Sequence, residues 1–384
     1  MTALLRTDVV EGRDPATGDV LQVVVERGTI AEVRRRASRD ADLPYLAPGL
    51  VDLQVNGYRG ADVNGPDASA DAVVAITEAL ALEGVTTWVP TIVTAAEEDI
   101  ERSLRAVAAA KAAHPAVDSA VPWAHVEGPF LSSEDGPRGV HDPAHVRPLD
   151  AAEVERWRGA GPVGYTTVSP HGPDAPREIS RIVRLGVRVA VGHTHASPDE
   201  VRAAVDAGAT LSTHLGNGIH ARLPRHPNAL WAQLADDRLT CGFIADGHHL
   251  PADTLRVMLR AVGPRRAYLV SDSTALAGSA PGTYRTPVGG EVELTPDGRL
   301  SYAGTGLLAG AAVSLAHGLR FVLAHTGVGL PEALELVTGT PGALVDGPVA
   351  ARGVIQAGRR ADLVRLTPDG TVVDVVRGGE RLPA

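Results

Sequence analysis

From Leu50 to Asp272 the chain alternates short apolar or β-branched runs with longer runs of helical periodicity, which restricts the possible fold more than any other feature. Strands are expected near residues 51–56, 86–90, 121–126, 163–169, 188–193, 209–214, 240–245 and 267–271, eight in all. Helical segments at 69–83, 97–113, 151–159, 178–185 and 251–262 fall between most of them. Eight parallel strands closed by helices form an α/β fold, the (β/α)8 TIM-like barrel, whose active sites lie at the C-terminal ends of the strands. Its 384 residues suit one barrel with a small appendage.

The appendage is expected from the two ends of the chain. Residues 4–35 read as short strands with a reversal at Arg27-Gly28, and GRRADLVRLTPDGTVVDVVRGGERL reads as strands around Asp369-Gly370. Paired, they make a small discontinuous β-sandwich domain of residues 1–46 and 346–384, with the barrel at 47–345. After Asp272 a Gly- and Pro-rich loop is expected at 277–290, then a hairpin in EVELTPDGRLSYAG and helices at 311–324 and 331–338.

Two strand ends carry the first chemical signal. VGHTHA and STHLGN each lead a run of small or β-branched residues into a histidine, His193 and His214, 21 residues apart. Between them SPDEVRAAVDAGAT has a cap signal at Ser197, an acidic first turn and apolar residues at helical spacing. Two such strand ends share one barrel rim, so both imidazoles can converge on one ion. With 14 histidines present, one alone means little. The other rim positions decide: Gln54 and Asn56, His125 and Glu127, Asp246, and Asp272 end further strands. Glu127, His193 and His214 form a His₂Glu set of the type that leaves zinc an open coordination position. Asp272, ending YLVSD, is then the natural general acid/base beside a bound water.

Composition narrows the class. Hydrophobic residues make up 44% and aromatics only 3%, which suits a large Ala/Val/Leu core. A net charge of −10 argues against nucleic acid as a partner. No apolar run reaches the roughly 18 residues of a membrane span, and a signal peptide's basic start and apolar core are lacking. A cytoplasmic protein without membrane partners is expected. The single cysteine, Cys241, excludes an internal disulfide and a cysteine zinc cluster; its place in an expected buried strand makes it a core residue.

APGLVDLQVNG, GVTTWVPT, HVEGPF followed by GVH, VGHTHA, STHLGNG, IADGHHL, LVSD and a closing GxxADLV, in that order, resemble the amidohydrolase superfamily, most closely the N-acetylglucosamine-6-phosphate deacetylases. The resemblance implies metal-dependent hydrolysis of the N-acetyl group of an amino sugar phosphate. It implies one divalent metal per chain, zinc first with iron or manganese as alternatives, on Glu127, His193 and His214. Gln54 and Asn56 stand where many superfamily members have a His-x-His pair for a second metal.

By the same resemblance Asp272 is the acid/base and His141 helps polarise the amide carbonyl, while Asn217, Gly218 and His249 meet the substrate anion. Arg225 matches an arginine that reaches the phosphate, often from a neighbouring subunit, which implies a homodimer. LGNGIHARLPRHPNALW departs from the family pattern at Gly218, Ile219, His226 and Asn228, and Trp231 adds a bulky ring. The catalytic half is intact and the phosphate half altered. The alternatives are the same chemistry on another N-acyl compound (an unphosphorylated amino sugar, another hexosamine phosphate or a cyclitol), a deaminase of the superfamily, or a non-catalytic binding protein on the same barrel.

Overall fold

The computed structural model describes residues 7–37, 42–286, 290–346 and 352–383. Eight parallel strands form the expected barrel: Leu50–Val55, Val85–Val93, Ala124–Glu127, Val163–Val168, Arg188–Val191, Leu211–Ser212, Thr240–Ile244 and Ala267–Val270, hydrogen-bonded in that sequential order. The first and last strands close it through the Asp272 N–H, which donates to Gln54 O at 2.9 Å, and through a parallel bridge between Val55 and Ser273. Several strands end one or two residues before the expected position, because the chain turns away from the ladder as it reaches the rim.

The helices lie outside the barrel and begin where the sequence signals them. Ala70–Leu82 is capped by the Ser69 hydroxyl and buries Val73, Ile76 and Leu80. Its Thr77 accepts a 3.0 Å bond from the Trp88 indole N–H, which satisfies a fully buried polar group. Each buried Leu or Ile in this seam contributes roughly 1.5–3 kcal/mol. Pro198–Asp206, between the two histidine strands, starts with a complete capping box of Ser197 and Glu200. Inside the barrel Val51, Leu53, Val89, Tyr165, Leu211, Ile244 and Val270 pack as a separate core, so the barrel has a filled floor.

Strands from both ends build one seven-stranded sheet that runs, in order, through Glu380–Arg381, Val372–Arg377, Leu363–Leu366, Tyr45–Pro48, Thr7–Arg13, Val20–Glu26 and Thr29–Arg36. Residues 4–6, expected to open the first strand, lie outside the described residues, as do 347–351 next to the expected boundary at 346. Tyr45–Pro48 crosses the expected boundary at 46, pairing with Leu363–Leu366 on one side and at Arg13 on the other. Arg27 and Gly28, both at positive φ, make the expected reversal.

The segment after the barrel corrects the sequence reading. Residues 277–290 are not simply a loop: Gly282–Thr286 is a strand, paired with Gly290–Leu294, which pairs in turn with Leu300–Tyr302. Residues 287–289 lie outside the described residues. Gly and Pro mask the strand signal in the sequence, but Val292, Leu294 and Leu300 bury one face against Leu276, Ala309 and Ala312. This three-stranded insert lies over the mouth of the barrel.

Candidate active site

Left-handed backbone marks three rim residues. His193, His214 and Asp272 have φ of 47°, 28° and 48°, a region that side-chain-bearing residues seldom adopt. Each follows a barrel strand by two residues. At these turns the chain breaks strand geometry, and the side chains of all three line one cavity of about 420 Å³.

In its floor the His214 Nε2 lies 2.9 Å from Glu127 Oε1 and 3.1 Å from His193 Nε2, which is itself 3.3 Å from Glu127 Oε1. His141 brings a fourth atom, its Nε2 3.3 Å from that of His193. His193 Nδ1 is 2.8 Å from Pro137 O, a carbonyl that can only accept. That bond fixes the tautomer, so in the neutral ring Nε2 presents a lone pair to the cluster. Lone pairs and a carboxylate oxygen packed this closely repel one another without a shared cation. Their chemistry fits a divalent metal.

Two overlapping triads satisfy that geometry. Glu127, His193 and His214 are the set expected from the sequence. Glu127, His141 and His193 also offer atoms all within 4.8 Å of one another. Burial holds His141 neutral, its pKa lowered to about 3, so as an imidazole it can either ligate or polarise a carbonyl. Glu127 is held well below the ordinary carboxylate range, the His193 and His214 rings beside it outweighing its burial. His214 is pushed up despite burial, by the hydrogen bond and charge of Glu127.

Asp272 stands beside this cluster. Gln54 Nε2 donates to Glu127 Oε2 and to Asp272 Oδ1, both at 3.1 Å, and Asn56 Nδ2 donates to the same Oδ1 at 2.8 Å. Gln54 therefore ties the acid/base candidate to the ligand candidate, and Asn56 steadies the same Asp272 oxygen. Burial, and then the Glu127 charge, raise the Asp272 carboxyl to about 6.

The other expected residues divide. Asn217, Gly218 and His249 line the cavity. Gly218, at φ 61°, lies so close to His193 that a Cβ would come within 2.9 Å of its Nδ1, which explains the departure from alanine there. His249 is oriented by Asp246, whose Oδ2 is 2.6 Å from His249 Nδ1 and whose Oδ1 accepts the backbone N–H groups of His248 and His249. Arg225 is exposed and does not line the cavity of its own chain. It sits in the long segment between Leu211–Ser212 and helix Ala229–Ala235, and no strand end directs it inward.

His125 corrects the rim reading: it faces the barrel interior as Glu127 does two residues on, but lies one layer deeper, stacked on Tyr165 at 3.8 Å between ring centroids and bonded to Thr91 and Thr167. Sequence reading missed Arg285 altogether. It lies on the unexpected strand Gly282–Thr286 and lines the cavity. The alternation in GTYRT was the one available signal.

A model of the amidohydrolase family matches residues 45–382. The chain is 33% identical to the N-acetylglucosamine-6-phosphate deacetylase of Bos taurus, over 87% of this chain and 83% of that one. It is 31% identical to the N-acetylgalactosamine-6-phosphate deacetylase of a Shewanella strain, over 94% and 91%. A solved structure of a Mycobacterium smegmatis N-acetyl-D-glucosamine-6-phosphate deacetylase variant, in complex with N-acetyl-D-glucosamine-6-phosphate, is similar at TM-score 0.87 and 30% identity, over 98% of this chain and 99% of that one.

Proposed function

The chain belongs to the amidohydrolase family, within its N-acetylglucosamine-6-phosphate deacetylase group, and on that premise we propose that it hydrolyses the N-acetyl group of an amino sugar 6-phosphate, most simply N-acetylglucosamine 6-phosphate, to the free amine and acetate. The observation that carries this reading is the convergence of Glu127, His193 and His214 beside Asp272 in one cavity.

The family is metal-dependent. We assign one zinc ion per chain to Glu127, His193 and His214, a nitrogen and oxygen donor set of catalytic zinc type. A cation bound there supplies Lewis acidity, polarising the acyl carbonyl and lowering the pKa of water. Asp272 takes the proton of the attacking water and delivers it to the departing amine, so that the C–N bond breaks with a neutral leaving group. Gln54 and Asn56 both bond Oδ1, which leaves Oδ2 for that transfer. His141, kept neutral, adds a hydrogen bond to the acyl oxygen. Cavity walls at Asn217, Gly218 and His249 hold the sugar phosphate. Arg225, exposed and outside the lining of its own cavity, serves the neighbouring copy of a homodimer. No helix among the described residues is long and apolar enough to cross a membrane, and we place the enzyme in the cytoplasm.

A second reading is favoured by the Shewanella relative, whose name gives the 4-epimer N-acetylgalactosamine 6-phosphate as its substrate. Acetate release by zinc-loaded protein is compared on both sugar phosphates and on unphosphorylated N-acetylglucosamine, with Asp272→Asn as the blank. A preference of at least about a hundredfold for one phosphate ester supports the reading and names the epimer, because cations left unpaired in the site penalise the neutral sugar. Equal rates on phosphorylated and plain sugar, or none on any, overturn it.

A further inference from the structure

We propose that Arg285 binds the anionic group of the substrate from within the same chain, as a specificity-determining residue at the mouth of the cavity. This inference rests on the reading of the site as one for a sugar phosphate, and concerns which group of the same chain holds that anion, beside the Arg225 that a neighbouring copy would lend.

Among the described residues that line the cavity, Arg285 is the one arginine or lysine. Four carboxylates line the same space: Asp62, Asp67, Glu127 and Asp272. Glu127 faces the imidazole cluster, which leaves the rest of the wall without a permanent cation apart from Arg285. A phosphate dianion entering such a space is repelled unless a fixed positive charge receives it. Arg285 forms no ion pair with a described residue, so its fork of donors is uncommitted, and it is both exposed and cavity-lining, which puts it at the entrance.

Its support is firm. Arg285 pairs with Glu291 in the antiparallel register of the insert, whose Val292, Leu294 and Leu300 are buried beneath. Leu300, Leu308 and Ala309 of the same insert also line the cavity, so one element carries both an apolar wall and the cation. A guanidinium suits this task because its planar donors match two phosphate oxygens at once.

The test uses zinc-loaded wild type, Arg285→Gln and Arg285→Lys. Calorimetry measures the binding of glucosamine 6-phosphate and of glucosamine, and acetate release gives kcat and KM on N-acetylglucosamine 6-phosphate. Arg285→Gln is expected to weaken glucosamine 6-phosphate by about 10- to 100-fold, to raise KM by a similar factor and to change kcat far less. Arg285→Lys recovers part of the loss. Unchanged binding of the sugar phosphate in Arg285→Gln overturns the proposal, as does a proportional loss for glucosamine, which marks a structural role. A wild type that releases no acetate sinks the deacetylase reading alone, since the calorimetric comparison still decides the role of Arg285.

Discussion

The floor of the cavity and its wall are built differently. Floor residues Glu127, His193, His214 and Asp272 stand at or just beyond the ends of barrel strands, the first three buried and Asp272 half-buried, and three of the four sit on left-handed backbone. Wall residues Asn217, Gly218, His249 and Arg285 come from loops and an inserted sheet. A closed barrel fixes the floor from every side, whereas the wall follows local turns that can be rebuilt without disturbing it. Chemistry and substrate choice are thus carried by separable parts of one cavity.

The comparison breaks first if the floor is not a metal site. Glu127→Ala is expected to lose its metal and all measurable deacetylation, read by elemental analysis beside acetate release. Glu127 belongs to both overlapping triads, so the histidines must separate them. His214→Ala should lose the ion and His141→Ala should keep it; the opposite pattern transfers ligation to His141. Next in size, Asp272→Asn retains a full complement of metal and loses turnover by about 10²- to 10⁴-fold. A nearly active Asp272→Asn would remove the acid/base from the floor.

On the wall the effects are smaller and fall on KM. His249→Asn should raise KM for the phosphate ester about tenfold with kcat little changed, because Asp246 then orients no ring toward the anion. A collapse of kcat instead would join His249 to the floor.

The smallest effect lies beneath the floor, where the fully buried Asp52 accepts the Ser271 N–H and keeps one oxygen without a partner. Burial raises its carboxyl to about 7, above the value near 3.8 that it has when unfolded. The folded state therefore holds the proton more tightly. The associated stability is fully present below about pH 4 and is lost as pH rises through about 7. Relative to wild type, Asp52→Asn should gain about 1–4 kcal/mol between pH 4 and pH 8, visible as a rising difference in Tm. A constant difference would show that Asp52 ionises normally.

The same contrast explains what the sequence disclosed. Eight strand positions and the Ser197 cap were legible because apolar runs, helical spacing and capping hydroxyls are local signals. His193 and His214 were legible as a pair because equivalent strand ends meet on one rim. His125 was misplaced because it shares the face of Glu127 but lies two residues deeper along the strand, and run composition does not register that depth. Gly218 and Arg285 answer to contacts made across space, with the His193 ring and with the cavity mouth. No spacing encodes such contacts.

The terminal sheet bears on how the molecule is made. Tyr45–Pro48 leads directly into the first barrel strand, yet its antiparallel partner, Leu363–Leu366, follows the whole barrel in chain order. A growing chain can fold its βα units in turn, but the edge of Tyr45–Pro48 stays open until the barrel has been synthesised. A product truncated after the barrel would expose that edge next to a formed barrel, as a mark of unfinished folding.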